Sequence, residues 1–388
     1  MKNISIKVYR PTGEFIKDWS SVANFEEFIK EINAGLGECI VNLGVPFDYD
    51  GSELDLNNIV EIDIADKDTK TNGFTRIYSG YISLIEPFVD GKKEGITVHL
   101  LGEYTKLSLD YLKNENIVIL YSDSTNGITT TSSGTSADIG LIVRGILNRY
   151  RLETTSPKIN YSITSIPDIG QNALYSFRLV TYREAIDKII NIFPAGYFWY
   201  VDEYNIFTIK QKSSTPIHTF EFGKHFKSLR IQKSMETLRN FVLVWDGDSF
   251  FKNYSNSSSI LKYGRRVNAI QDNAIGDSVT ANGIASKYLN ENKDQEISIV
   301  CEIIDNNLSE YGYDIESIQP GDTCKFIGFN SATTDILNEN MLITKVIYNL
   351  DKVILSVKLT KTGIIDNQKK LKTYVEDLSN LNVPATYS

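Results

Sequence analysis

The sequence predicts an α+β protein that is mostly β, on three observations. Tyr (22) and Phe (18) are plentiful while Met (3) and Trp (3) are scarce, and aromatic residues suit a pleated, half-buried surface. Apolar residues alternate with polar ones in many short runs towards both ends of the chain, the period of a strand. Stripes at helical spacing concentrate in the middle. At 388 residues the chain has room for two to four domains with their own cores.

In chain order, the first hundred residues read as strands. Ile4, Ile6 and Val8 alternate with polar neighbours, and Ile59 to Ile64 repeats the pattern. Extended runs follow at Ile77 to Phe88 and Ile96 to Leu101, joined through Asp90-Gly91, a pair with hairpin chemistry. One stretch conflicts: Phe25, Phe28, Ile29 and Ile32 lie at helical spacing behind Asn24, a candidate N-cap. Ser122 to Ser136 is rich in Ser and Thr and reads as an exposed loop or linker.

Two helices come next. Ile139, Ile142, Val143, Ile146, Leu147 and Tyr150 form one apolar stripe. Thr181 and Glu184 make a capping box for the second, which carries Ala185, Ile186, Ile189, Ile190 and Phe193 on one face and stops at Pro194. A hairpin follows, Tyr197 to Val201 and Ile206 to Lys210, turning at Asp202-Glu203-Tyr204-Asn205. Helix, helix and hairpin between two β regions read as an α+β insertion. Strand signals return from Phe220, with Phe241 to Trp245 a short apolar run. Further extended runs lie at Glu296 to Ile304, Cys324 to Ile327, Leu342 to Tyr348 and Val353 to Leu359. A third helix is expected near Thr280 to Leu289, and the polar end has helical character around Leu371 to Leu381.

The formal net charge is −9, which disfavours tight binding to phosphate backbones while allowing nucleic acid to slide past. Arg265-Arg266 and Lys224-His225-Phe226-Lys227 are the densest basic spots, and both read as solvated faces. The alternating N-terminus reads as a strand and not a signal peptide, and no window approaches the ~20 apolar residues of a membrane helix. Cys39, Cys301 and Cys324 have no paired spacing and read as reduced thiols made in a cytoplasm.

Catalytic patterns are missing. His99 sits in a strand and reads as a packed or hydrogen-bonded residue; His218 and His225 have no zinc-like neighbours. Asp63, Asp66 and Asp68 with Asn72-Gly73 fail the spacing of a calcium loop and read as a polar turn. No nucleophile elbow, P-loop or dinucleotide fingerprint occurs. Sequence therefore predicts a non-enzymatic protein with no catalytic, cofactor or metal residues.

Several phrases, in order, resemble the baseplate or tail-tip hub proteins of long-tailed bacteriophages. They are Phe28 to Cys39 (Phe-Ile-Lys-Glu-Ile-Asn-Ala-Gly-Leu-Gly-Glu-Cys), Ile77 to Ile82, Leu100 to Tyr104, Thr181 to Ala185 within Phe177 to Ile190, Tyr197 to Asp202, and Tyr313 to Asp322 with its Pro-Gly-Asp step into a strand. The resemblance spans residues 1–362, and the Ser/Thr run has no counterpart in it. It implies a strand at Phe25 to Ile32 with a turn at Asn33-Ala34-Gly35, overriding the helical spacing. It implies two β-barrel-like tube domains, 1–115 and 216–362 (the second with a helical insertion), an α+β middle domain at 116–215, and a C-terminal tail at 363–388. It further implies a homotrimer whose six tube domains form a pseudo-sixfold ring around a channel for DNA and tape measure. Its partners would be distal tail protein, tail tube protein, tape-measure protein and receptor-binding or spike proteins. Its place would be the virion tail, after synthesis in the host bacterial cytoplasm, without membrane insertion or sequence-specific nucleic-acid binding. A tail-associated cell-wall hydrolase and a carbohydrate-binding adhesin are the competing readings; lysis of host walls or glycan binding by the isolated chain separates them.

Overall fold

The computed structural model describes residues 3–65, 74–91, 93–112, 137–153, 159–173, 177, 179–194, 196–247, 251–272, 275, 278–304, 313–328, 340–350 and 352–358. The Ser/Thr run at 122–136, the acidic turn from Asp66 to Gly73 and the tail at 363–388 lie outside them.

The first seven strands are β1 (Asn3–Tyr9), β2 (Phe15–Asp18), β3 (Ala23–Glu31), β4 (Ala34–Leu43), β5 (Ile59–Ala65), β6 (Thr75–Asp90) and β7 (Lys93–Leu101). Alternation sends Ile6, Val8, Val60, Ile62, Val98 and Leu100 into one core while their neighbours face out. Asp90-Gly91 turns β6 into β7, with Gly91 at φ +61°.

The passage at 25–32 is a strand, and a bulge explains its helical spacing. Pairing of β3 with β4 slips between Phe25 and Phe28. The one extra residue lets both rings, three apart in sequence, enter the core with centroids 6.0 Å apart. Asn33, at φ +55°, turns the chain into β4.

The middle of the chain holds β8 (Tyr111–Leu112), β9 (Ala137–Asp138), α1 (Ile139–Glu153), β10 (Asn172–Ala173), β11 (Val180–Thr181), α2 (Tyr182–Ile190), β12 (Tyr197–Val201) and β13 (Phe207–Gln211). The capping box is formed in both directions: Glu184 N donates to Thr181 Oγ1 and Thr181 N donates to Glu184 Oε2. The helix ends at Ile190, three residues before Phe193; the Asn191 N–H still bonds back to Asp187 O, and Phe193 is buried in the turn that follows.

The remainder comprises β14 (His218–Glu221), β15 (Phe226–Ser234), β16 (Phe241–Trp245), β17 (Phe251–Ser255), α3 (Ser257–Tyr263), β18 (Val267–Gln271), α4 (Ser278–Asn292), β19 (Glu296–Ile304), β20 (Thr323–Ile327), β21 (Met341–Asn349) and β22 (Lys352–Lys358). The sequence reading foresaw α4 but not α3, β17 or β18.

Both β regions enter one mostly antiparallel sheet; off its main path, β12 with β13 joins β4 in parallel, and β20, paired in parallel with β14, joins β21. Its order is β15-β19-β22-β21-β3-β4-β7-β6-β5-β1-β2, and β3 pairs with β21 at the seam. Among the described residues no pairing joins β15 to β2, so the path is open and no closed barrel is formed. One core lies under both halves, from Ile6 and Val98 to Ile299, Cys301 and Leu355. A second core gathers α1, α2, β12 and β13, and it also takes Val242, Val244, Ala281, Ile284 and Leu289. The segment between β15 and β19 therefore packs on the helical middle, and Lys287 of α4 donates to Ile190 O at the end of α2.

Candidate assembly junction and surfaces

Four of the six phrases that carry the family resemblance converge on one junction. Asn33 N donates to Trp199 O at 2.6 Å, and Trp199 N donates to the Asn33 side chain at 3.2 Å. Arg183 of α2 donates to Asn33 O at 3.3 Å. Ala34 and Gly35 pair in parallel with Tyr200 and Val201, and a Cβ on Gly35 would meet Val201 O at 2.6 Å. Trp199 Nε1 donates to Asp187 on α2 at 3.0 Å, fixing hairpin to helix.

The third partner is the Pro320-Gly321-Asp322 turn. Gly321, at φ +93°, lies so close under the Phe198 ring that a Cβ there would be 2.2 Å from it. Lys30, buried on β3, donates to Gln319 at 3.1 Å and to Glu203 of the hairpin at 3.4 Å. A buried ammonium is tolerated only when its donors are used, so Lys30 holds all three segments together. Ile32, Phe198 and Leu342 form a small apolar cluster alongside.

The sheet face opposite the core is polar and cross-linked. Asn42 donates to Glu26 and accepts from Thr97 at 2.8 and 3.0 Å. His99 lies between Glu38 and Glu86, 2.9 Å from each. Its hydrogen bond to Glu38 raises the imidazole above its ordinary value; burial opposes this and Glu86 adds to it. Arg76 bridges Glu61 at 2.5 Å and Asp63 at 2.8 Å, so the one described carboxylate of the acidic turn is already paired.

The other histidines are framework groups. His218 is buried between Tyr313 Oη at 2.7 Å and Asp322 at 3.0 Å. Burial pushes the Tyr313 hydroxyl up to about 12, so it stays protonated. His225 accepts from Glu221 N and stacks edge-on against Tyr313. Cys39, Cys301 and Cys324 are buried free thiols, Cys301 pushed up to about 12 by desolvation, which suppresses thiolate chemistry. Among the described residues no group of three His, Cys, Asp or Glu could hold a metal ion. No helix among them is long and apolar enough to cross a membrane.

Sequence reasoning found the phrases but not the residues that matter most in them. Lys30 reads as an ordinary surface lysine of a strand, because its partners lie 173 and 289 positions away. The positive φ of Asn33 was legible only as a turn.

No family model and no curated protein matches the chain. Solved structures do. The 43 kDa tail protein of prophage MuSo2 from Shewanella oneidensis aligns at TM-score 0.58 with 13% identity, over 92% of this chain and 98% of that one. The tail protein from Neisseria meningitidis MC58 aligns at 0.59 with 11% identity, over 92% and 96%. Prophage tail protein gp18 from Listeria monocytogenes EGD-e aligns at 0.55 with 11% identity, over 96% and 99%. The resemblance read from the sequence holds at the level of structure: this chain has, over almost its whole length, the fold of phage tail proteins.

Proposed function

We propose that the protein is a structural hub of a phage-type tail tip or baseplate. In this reading three copies form a pseudo-sixfold ring that connects the tail tube to the distal tip, resident in the virion tail. The single observation that carries the reading is the continuous open sheet. It sets two β regions side by side, β1–β7 and β15, β19, β21 and β22, and leaves β2 and β15 as the two ends of its main path. A long free edge is a pairing template that native proteins cover, and closed point-group assembly covers edges without leaving new ones.

Two β regions per chain give six in a trimer, which is the match to a hexameric tube that a hub needs. The two regions act as the barrel-like tube domains at 1–115 and 216–362, each closing only with its neighbours. The middle domain at 116–215 is joined by the β16–α4 segment, whose core it shares, and the tail follows at 363–388. The polar face bearing Glu26, Glu38, Glu61, Asp63 and Glu86 lines the channel. Its carboxylates are tied into cross-strand bonds, so it repels DNA and tape measure without capturing them. Distal tail, tube, tape-measure and spike or receptor-binding proteins are the neighbours of such a ring. The role is structural and not enzymatic: the histidines and cysteines are consumed by packing and hydrogen bonds.

Sedimentation of the purified chain, with copy counting in tail particles, tests this. Three copies are expected. Monomers, or a closed dimer in the particle, would overturn it.

A further inference from the structure

The two halves of the large sheet repeat one antiparallel strand order. One half runs β3-β4-β7-β6-β5 and the other β15-β19-β22-β21-β20, with the strands in the same chain order. Local details repeat as well. β6 slips against β7 between Ile82 and Leu84, and Ser83 Oγ donates to His99 O at 3.0 Å. β21 slips against β22 between Ile343 and Lys345, and Thr344 Oγ1 donates to Ser356 O at 3.0 Å. Ile82 N donates to Asn58 O, and Ile82 O accepts from Asn57 N, at φ +70°. Ile343 N donates to Asp322 O, and Ile343 O accepts from Gly321 N, at φ +93°.

These coincidences equate Leu84 to Pro87 with Lys345 to Tyr348. Following the pairs outwards, Cys39 opposite Leu100 corresponds to Ile299 opposite Val357, which equates Phe28 to Glu31 with Ile231 to Ser234. Within the chain the halves meet where Lys345 to Tyr348 pair with Glu31 to Phe28. The counterparts of both strands are open: among the described residues β15 pairs only with β19, and no strand pairs with β6 beyond Tyr81 on the side away from β7. Burial differs accordingly. Phe25, Phe28 and Val346 are buried at the seam, while their counterparts Leu229, Ile231 and Ile85 are half-buried.

We propose that the seam is repeated between chains: β15 of one copy pairs antiparallel with residues 84–87 of β6 in the next. The register sets Leu84 opposite Ser234, Ile85 opposite Lys233 and Glu86 opposite Gln232. Pro87, which has no N–H to give, stands where Tyr348 ends the internal seam, so the pairing stops there. The occupant is a second copy because the chain already joins these two kinds of strand once. Charge agrees: Arg230 lies diagonal to Glu86 on the outward face, within reach of a long side chain. The contact is head-to-tail, so three seams within chains alternate with three between chains and the ring closes. The proposal rests on the ring reading above and names the strands that join its copies.

The test uses the full chain, whose own cysteines are buried. Glu86→Cys combined with Gln232→Cys sets two thiols opposite each other, ~5.5 Å or less between Cα atoms, within disulfide reach. Mild oxidation is expected to give a covalent trimer on a non-reducing gel. Glu86→Cys with Ser228→Cys, on the same face but out of register, should give none. Ile32 N donates to Thr344 O across the internal seam, so by alternation the Lys233 N–H faces outward. Lys233→Pro should therefore keep the urea midpoint and weaken association at least ~tenfold in sedimentation velocity, while Lys233→Ala keeps it. A wild-type trimer in which the 86 and 232 thiols do not join between chains overturns the proposal and leaves the ring reading standing. Lys233→Pro associating as tightly as wild type does the same. A wild type that forms no trimer, free or in tail particles, overturns both.

Discussion

His99 is the residue whose surroundings make the clearest prediction. Its folded pKa is raised, first by the Glu38 hydrogen bond and then by Glu86 against the opposing effect of burial. A raised imidazole binds its proton more tightly in the folded state. Its stabilising contribution is therefore complete below the unfolded value of about 6.5 and is lost as pH rises through the raised one. His99→Gln should destabilise the protein more at pH 5.5 than at pH 9, read from urea midpoints; an equal loss at both would sink the assignment. From sequence His99 was legible as a bonded strand residue, but its carboxylates were not. Glu38 and Glu86 reach it only because β4 and β6 flank β7, a neighbourhood that local pattern does not encode.

Among the elements, α2 was the most legible, because a capping box is a local device with local chemistry. Thr181→Ala removes the acceptor for Glu184 N and should cost about 1 kcal/mol, with most of that loss retained in Thr181→Val and little in Thr181→Ser. Unfolding curves on the three variants check it. Strand β3 shows the opposite case. Its Phe25 and Phe28 mimic a helix because a bulge realigns them, and only the family phrase around Asn33-Ala34-Gly35 corrected the period. The short helix α3 escaped notice for another reason. Ser257-Ser258-Ser259 has poor helix propensity. The element is held instead by the Asn256 cap and by Ser259, which bonds Asn240 and the Lys293 carbonyl.

On the scale of the whole molecule, the sequence separated two β regions and a helical middle, yet hid how they join. Nothing local marks that β16 and α4 leave the second β region to complete the helical core, because apolar stripes do not name their partners. The three thiols offer a global probe of the large sheet. Cys39 lies in the first region and Cys301 and Cys324 in the second, all in one core. Burial raises all three. A thiol reagent should find none in the native protein and three after guanidinium unfolding, with reaction tracking the sheet's cooperative loss. One thiol reacting early would show that the two regions open independently.

The seam between β3 and β21 also dictates an order of events. Residues 23–31 leave the ribosome long before the strand they pair with, 341–349, is made. Until then the first region presents an unfinished margin, and the hydrogen bonds of the seam must wait for the second region. Contacts this remote make folding slow and expose intermediates to misassociation. Completion of the large sheet is thus late and nearly all-or-none, and a chain interrupted before residue 341 cannot form its seam.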